Sequence, residues 1–111
     1  MDDDFSTEVT ETDGETVISV RGEIDIATAG RLRDVIEPFL GPHQTIVLDL
    51  SGVHFMDSAC LSVLVYARGT LTADGGSLML RNPSAAARRL LTAAGAQDLL
   101  DSDAGNQPDS N

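Results

Sequence analysis

The sequence predicts a single α/β domain: a mixed sheet of four to five strands with three or more helices, in the order β-β-α-β-α-β-α. Three observations carry this expectation. A β-branched stretch with a hairpin turn opens the chain, helical segments with apolar faces follow it, and two compact apolar strands separate those helices. Strands that alternate with helices form parallel neighbours through right-handed crossovers, and the opening hairpin adds an antiparallel element. A chain of 111 residues, 41% hydrophobic, is long enough for one core and too short for two. With three Phe, one Tyr and no Trp, that core must be mostly Leu, Val, Ile and Ala.

Thr7–Thr12 and Thr16–Arg21 read as two strands joined at Asp13-Gly14, because Asp-Gly between β-branched runs is a strong hairpin signal. Gly22 is expected to break the run. "DIATAGRLRDVIEPFL" reads as a helix: Leu32, Val35, Ile36, Phe39 and Leu40 share one face of a 3.6-residue period. Asp25 is its expected N-cap. Pro38 removes a backbone bond and should kink or stop the helix near Glu37. "TIVLDL", 45–50, has no polar face before Asp49 and suits a strand covered on both sides. A turn is expected at Ser51-Gly52, and a second helix from Asp57-Ser58 to about Ala73, stopped by Gly75-Gly76. "SLMLR", 77–81, is the next strand. Asn82-Pro83 is expected to open a third helix that ends before Gly95. "DLL", 98–100, is a further short strand or turn. The domain should span 7–100, between an acidic flexible N-terminus (1–6) and an acidic disordered tail (101–111).

The formal net charge is −11, and it sits at the ends. Seven acidic residues precede Arg21 and three follow residue 100, whereas the body holds eight acids against seven arginines. Nucleic acid and anionic membranes are therefore not expected partners, since both need a basic face. No signal peptide or spanning segment is visible. Cys60 is the only cysteine and fits a reducing, cytoplasmic setting. His43 and His54 are isolated, and no zinc spacing, G-x-S-x-G elbow or phosphate loop occurs. No catalytic residue, metal or cofactor is expected.

Ser58 is the remaining candidate. It follows a buried strand and starts a helix, where unpaired amides and the positive dipole end would receive a phosphate by charge-assisted hydrogen bonds without rearrangement. On position alone, Ser58 or Asp57 can equally be a plain helix cap. Cys60 opens a different possibility, a thiolate stabilised by the helix start that senses redox state, or else a small apolar residue filling the core.

"GEID" at 22–25 with Thr28, "IVLDLSGVHFMDSACL" at 46–61 and the Gly-Gly, strand, Asn-Pro pattern at 75–83 resemble the anti-sigma-factor antagonists of the STAS domain family. The strand followed by "FMDS" is the specific part, and the resemblance covers about residues 7–100. It implies a non-enzymatic cytoplasmic module in bacterial transcription and stress regulation. Such a module binds a serine-kinase anti-sigma factor and frees the sigma factor. The kinase phosphorylates the serine after the motif's Asp, and a metal-dependent phosphatase reverses this. Carried onto this chain, the phosphoacceptor is Ser58, and the partner surface includes Asp25, Thr28, Asp57, Ser58, Ala59, Leu61 and Ser62. The alternative is a STAS scaffold or redox module in a larger signalling complex, acting through Cys60 or without sigma-factor release. The family usually has Ser-Gly-Leu after the phosphoacceptor where this chain has Ala59-Cys60-Leu61. That difference is expected to place side chains where a partner backbone comes close.

Overall fold

Residues 5–96, 98 and 99 are described by the computed structural model of the chain. Strands β1 (Ser6–Thr12) and β2 (Glu15–Ile24) form an antiparallel hairpin around Gly14, whose φ of 71° is the left-handed conformation the turn requires. Helix α1 (Ala29–Ile36), β3 (Thr45–Met56), α2 (Ala59–Ala73), β4 (Ser77–Arg81) and α3 (Ala85–Ala93) complete the expected order. The sheet order is β1-β2-β3-β4, with β2–β3 and β3–β4 parallel.

Alternate strand residues feed one core. Ile18 and Val20 from β2, Ile46, Leu48 and Leu50 from β3, and Leu78 and Leu80 from β4 are all buried. Leu32 and Ile36 of α1, Leu64 and Leu71 of α2, and Ala87 and Leu91 of α3 pack on them. A period of two in the strands and about 3.6 in the helices makes this possible. Phe5 and Ser6, expected in a loose N-terminus, belong to the packed domain: Phe5 is buried under the Arg31 guanidinium, 5.0 Å from its ring centre, and Ser6 starts β1. Residues 1–4 and the tail 101–111 lie outside the described residues.

Four boundaries differ from the sequence reading. Helix α1 starts at Ala29, four residues after Asp25, and passes at Glu37 into a 3-10 turn over Glu37–Phe39 where Pro38 is accommodated. Strand β3 does not turn at Ser51-Gly52; it runs on to Met56 alongside β2, which itself continues through Gly22 to Ile24. Register shifts between Ser19 and Arg21 and between Gly22 and Glu23 are β-bulges, which absorb residues that look like breakers in isolation. Gly22 takes φ 97°, and a Cβ on Gly52 would lie 3.2 Å from the Val20 carbonyl oxygen, so both glycines let the strands pass closely. The cap of α3 is Ser84, not Asn82: the Ser84 side chain accepts from the Ala87 amide at 3.1 Å, while Asn82 holds a left-handed backbone with φ 52°. Asp98 and Leu99, expected in a strand or turn, are helical, and Leu100 lies outside the described residues.

The Ser84 amide donates to the Leu50 carbonyl at 3.2 Å, so α3 packs against β3 just beyond the end of β4. Asp49 ties the same corner. Its carboxylate accepts from the Ser51 amide at 2.9 Å and from the Asn82 side chain at 3.3 Å. Partial burial raises its pKa, but these bonds and nearby Arg81 outweigh that and hold it below the ordinary carboxylate value. At the opposite end of the sheet, Gly76 lies against the backbone of Gln44, and an added Cβ would collide with the Gln44 carbonyl oxygen. The neighbouring Ser77 amide donates to that same oxygen at 3.0 Å. We expect Gly76→Ala to cost about 2 kcal/mol or more by forcing this contact apart, read as a lowered urea midpoint; an unchanged midpoint would show that the two loops yield freely.

Candidate functional site

The β2–β3 pair runs past β4 and ends in two loops that lie side by side. The Asp57 amide donates to the Ile24 carbonyl at 3.1 Å, extending the ladder and placing the start of α2 beside the loop after β2. The "GEID" and "FMDS" segments thus meet at the C-terminal edge of parallel strands, where α/β folds commonly place their functional loops.

The loop Asp25–Thr28 is closed by its own side chains. The Asp25 carboxylate oxygen Oδ1 accepts from the Ala27 amide at 2.9 Å and the Thr28 amide at 3.0 Å. The Thr28 hydroxyl donates to the Glu23 carbonyl at 2.8 Å and accepts from the Asp25 amide at 2.9 Å. Asp25 therefore caps a turn that precedes α1 rather than the helix itself. Thr28 is buried, so it acts on the site by shaping this loop from within.

The entry to α2 separates two roles that the sequence left open. Asp57 Oδ1 accepts from the Ala59 amide at 2.9 Å, so Asp57 is the residue that caps. Ser58 has helical backbone angles, φ −66° and ψ −16°, and its side chain makes no capping bond. An N-cap side chain reaches its amide from an extended backbone, as Ser84 does with ψ 169°; Ser58 lacks that geometry. Its hydroxyl is left exposed on the first turn, with the half-buried Asp57 before it and Ser62 exposed one turn along.

The same bonds correct the expected phosphate cradle. The Ala59 amide serves the Asp57 carboxylate, the Cys60 amide donates to the Asp57 carbonyl at 3.0 Å, and the Leu61 amide donates to the Ser58 carbonyl at 3.0 Å. A phosphate on Ser58 does not find these three amides open. It meets the Asp57 carboxylate instead, and Asp25 in the adjoining loop.

Cys60 points inward. It is fully buried in the core cluster, and burial, followed by the nearby Asp57 charge, pushes its thiol up to about 12. The helix start does not stabilise a thiolate there, because desolvation dominates. The departure from the family's Ser-Gly at 59–60 therefore changes the core side of α2 at Cys60, and at Ala59 adds only a half-buried methyl group. Leu61 is likewise half-buried.

Exposed apolar side chains around the site were not singled out from the sequence. Ile26, at the tip of the Asp25–Thr28 loop, is 84% exposed, and Phe55, two residues before Asp57, is 48% exposed. Ile26 had a visible signal, an isolated large apolar residue in a polar loop. Phe55 did not: the register shift after Gly22, which pairs Glu23 with Phe55, is set by strand pairing. On α2, Val65 and Tyr66 are exposed as well. The Tyr66 hydroxyl donates to Glu37 at 2.8 Å, and Arg33 stacks over its ring at 4.2 Å while bonding Glu37 at 3.3 Å. The Tyr66 bond, then Arg33, holds Glu37 below the usual carboxylate range. This surface cluster joins the far ends of α1 and α2.

With that geometry in hand, the comparisons with known proteins are direct. The family model described as STAS domain matches residues 6–106. The chain belongs to the STAS domain family. The anti-sigma-B factor antagonist of Bacillus subtilis is 30% identical to this STAS protein over 97 residues, covering 87% of this chain and 89% of that one. An anti-sigma factor antagonist from Mycobacterium paratuberculosis superposes with a TM-score of 0.72 at 31% identity, covering 95% of each chain. SpoIIAA in its unphosphorylated form gives a TM-score of 0.71 at 28% identity, covering 86% of this chain and 84% of that one. The phosphorylated form of SpoIIAA gives 0.64 at 26% identity and 86% of each. Among the described residues of this STAS domain, no helix is long and apolar enough to cross a membrane.

Two outcomes test the site's construction. Asp57→Ala should cost about 1 kcal/mol through the lost cap, measured by chemical denaturation, whereas Ser58→Ala should leave stability unchanged; the reverse ranking would make Ser58 the cap. Cys60 in the native protein should resist a thiol reagent at pH 8 and react fully once unfolded; rapid native labelling would contradict its burial.

Proposed function

We propose that this STAS domain is an anti-sigma-factor antagonist: a binding module, not an enzyme, that captures a serine-kinase anti-sigma factor and is released when that kinase phosphorylates Ser58. A metal-dependent phosphatase acting on phospho-Ser58 would reset it. The observation that carries this reading is the division of labour at 57–58: Asp57 caps α2, and Ser58 stands exposed on its first turn with no structural duty. Relatives named as anti-sigma factor antagonists, and a relative solved in both unphosphorylated and phosphorylated forms, support it. The redox alternative through Cys60 is disfavoured by that residue's burial.

The switch follows from charge. Phosphorylation adds about −1.5 to −2 charge beside Asp57 and near Asp25, with the amides of Ala59, Cys60 and Leu61 already engaged. A partner that covers this surface removes water from a phosphate that has no cation of its own chain at hand. Desolvation and like-charge repulsion then oppose the complex. The fold need not change, because the bonds that build the two loops do not involve the Ser58 hydroxyl.

Titrating the serine-kinase anti-sigma factors of the source organism with three forms of the protein tests this. Ser58→Ala should bind in the presence of ATP without being released, and unmodified protein should be released as phosphate appears on Ser58. Ser58→Glu should bind about a hundredfold more weakly. Binding of Ser58→Glu at unmodified strength, or phosphate on another residue, would overturn the proposal.

A further inference from the structure

Ile26 is an exposed apolar side chain on a loop that cannot tuck it away. Asp25 Oδ1 holds the Ala27 and Thr28 amides, the Thr28 hydroxyl bridges the Glu23 carbonyl and the Asp25 amide, and the Ala29 amide donates to the Asp25 carbonyl at 2.8 Å. Folding Ile26 onto the domain would break several of these bonds. A loop already fixed in this way loses little conformational freedom on binding, so contact with its tip carries a small ordering cost. Phe55 is the second exposed apolar group at this end of the sheet. It lies opposite Glu23 in the β2–β3 register, two residues before Asp57 and three before Ser58. Isolated surface hydrophobics are ordinary, but two large ones flanking a functional serine and rimmed by polar groups mark a contact surface.

Charge identifies the occupant. Residues 22–30 and 51–67, which build this end of the domain, contain Glu23, Asp25 and Asp57 and no Arg or Lys. A second copy of this chain would bring the same carboxylates face to face. An anionic membrane would be repelled. We infer that Ile26 and Phe55 form an apolar anchor that seats in a pocket of the protein partner, and that this pocket is rimmed by Arg or Lys. This rests on the proposed function in that the partner is the serine-kinase anti-sigma factor. The anchor sets affinity and the choice among related kinases, whereas Ser58 sets the on or off state; the two lie on different loops and are separable.

The full chain with Ile26→Ser, Phe55→Ser or Ser58→Glu is titrated into each serine-kinase anti-sigma factor of the source organism, at low and moderate salt, with self-association followed by sedimentation. Ile26→Ser should weaken binding about tenfold or more at an unchanged unfolding midpoint, and wild-type affinity should fall as salt screens the rim. In phosphorylation of Ser58, Ile26→Ser should raise KM and leave kcat alone. If Ile26→Ser binds as wild type while Ser58→Glu is lost, the anchor is wrong and the proposed function stands. If Ile26→Ser is weak while Ser58→Glu binds fully, the anchor stands and the switch falls. Wild-type protein that binds none of the kinases overturns both. Self-association that Ile26→Ser abolishes makes the occupant a second copy and overturns the inference.

Discussion

Asp57 makes two hydrogen bonds on which the rest of the site depends. Its amide donates to the Ile24 carbonyl, joining the ends of β2 and β3, and its carboxylate takes the Ala59 amide, starting α2. The first bond brings the Asp25 loop alongside the α2 entry. The second relieves Ser58 of capping and leaves it a solvent-facing hydroxyl on a fixed scaffold. A carboxylate that caps a helix from one residue further back also brings negative charge to the place where a phosphate would be added. Structure and sensitivity to modification thus come from one side chain.

This arrangement assigns different work to neighbouring residues that a motif alone would treat alike. Asp25 and Thr28 shape a loop through internal bonds, and Thr28 is buried. Ile26 between them is thrust outward. On α2, Cys60 faces the core with Leu64, Ala67 and Leu71, while Ser58, Ser62 and Val65 face solvent. The helix therefore reads its partner on one side and the sheet on the other, so the unusual Cys60 changes packing rather than recognition.

Much of this was legible in the sequence because local signals agreed with tertiary structure. Helix α2, strand β4 and the Asp13-Gly14 hairpin fall where apolar periodicity and glycine punctuation place them. The failures share one cause. Gly22 and Ser51-Gly52 look like breaks, yet pairing between β2 and β3 carries both strands through them by bulges, and that depends on the partner strand rather than on local preference. Asn82 and Ser84 are both plausible caps, and backbone angles set by the link to Leu50 decide for Ser84. In the site, Asp25, Asp57 and Ser58 were recognisable as a set. Which of Asp57 and Ser58 caps α2 turned on φ and ψ, and the exposure of Phe55 on the bulged register.

The central claim is that phosphate on Ser58 acts as an added charge on an unchanged scaffold. The most direct measurement compares amide nuclear magnetic resonance spectra of the protein with serine and with phosphoserine at 58. The account predicts shifts confined to residues around 24–28 and 55–62, with β1, β4 and α3 unmoved. Shifts spread across the hairpin, β4 and α3 would mean that the phosphate remodels the fold, and would contradict it.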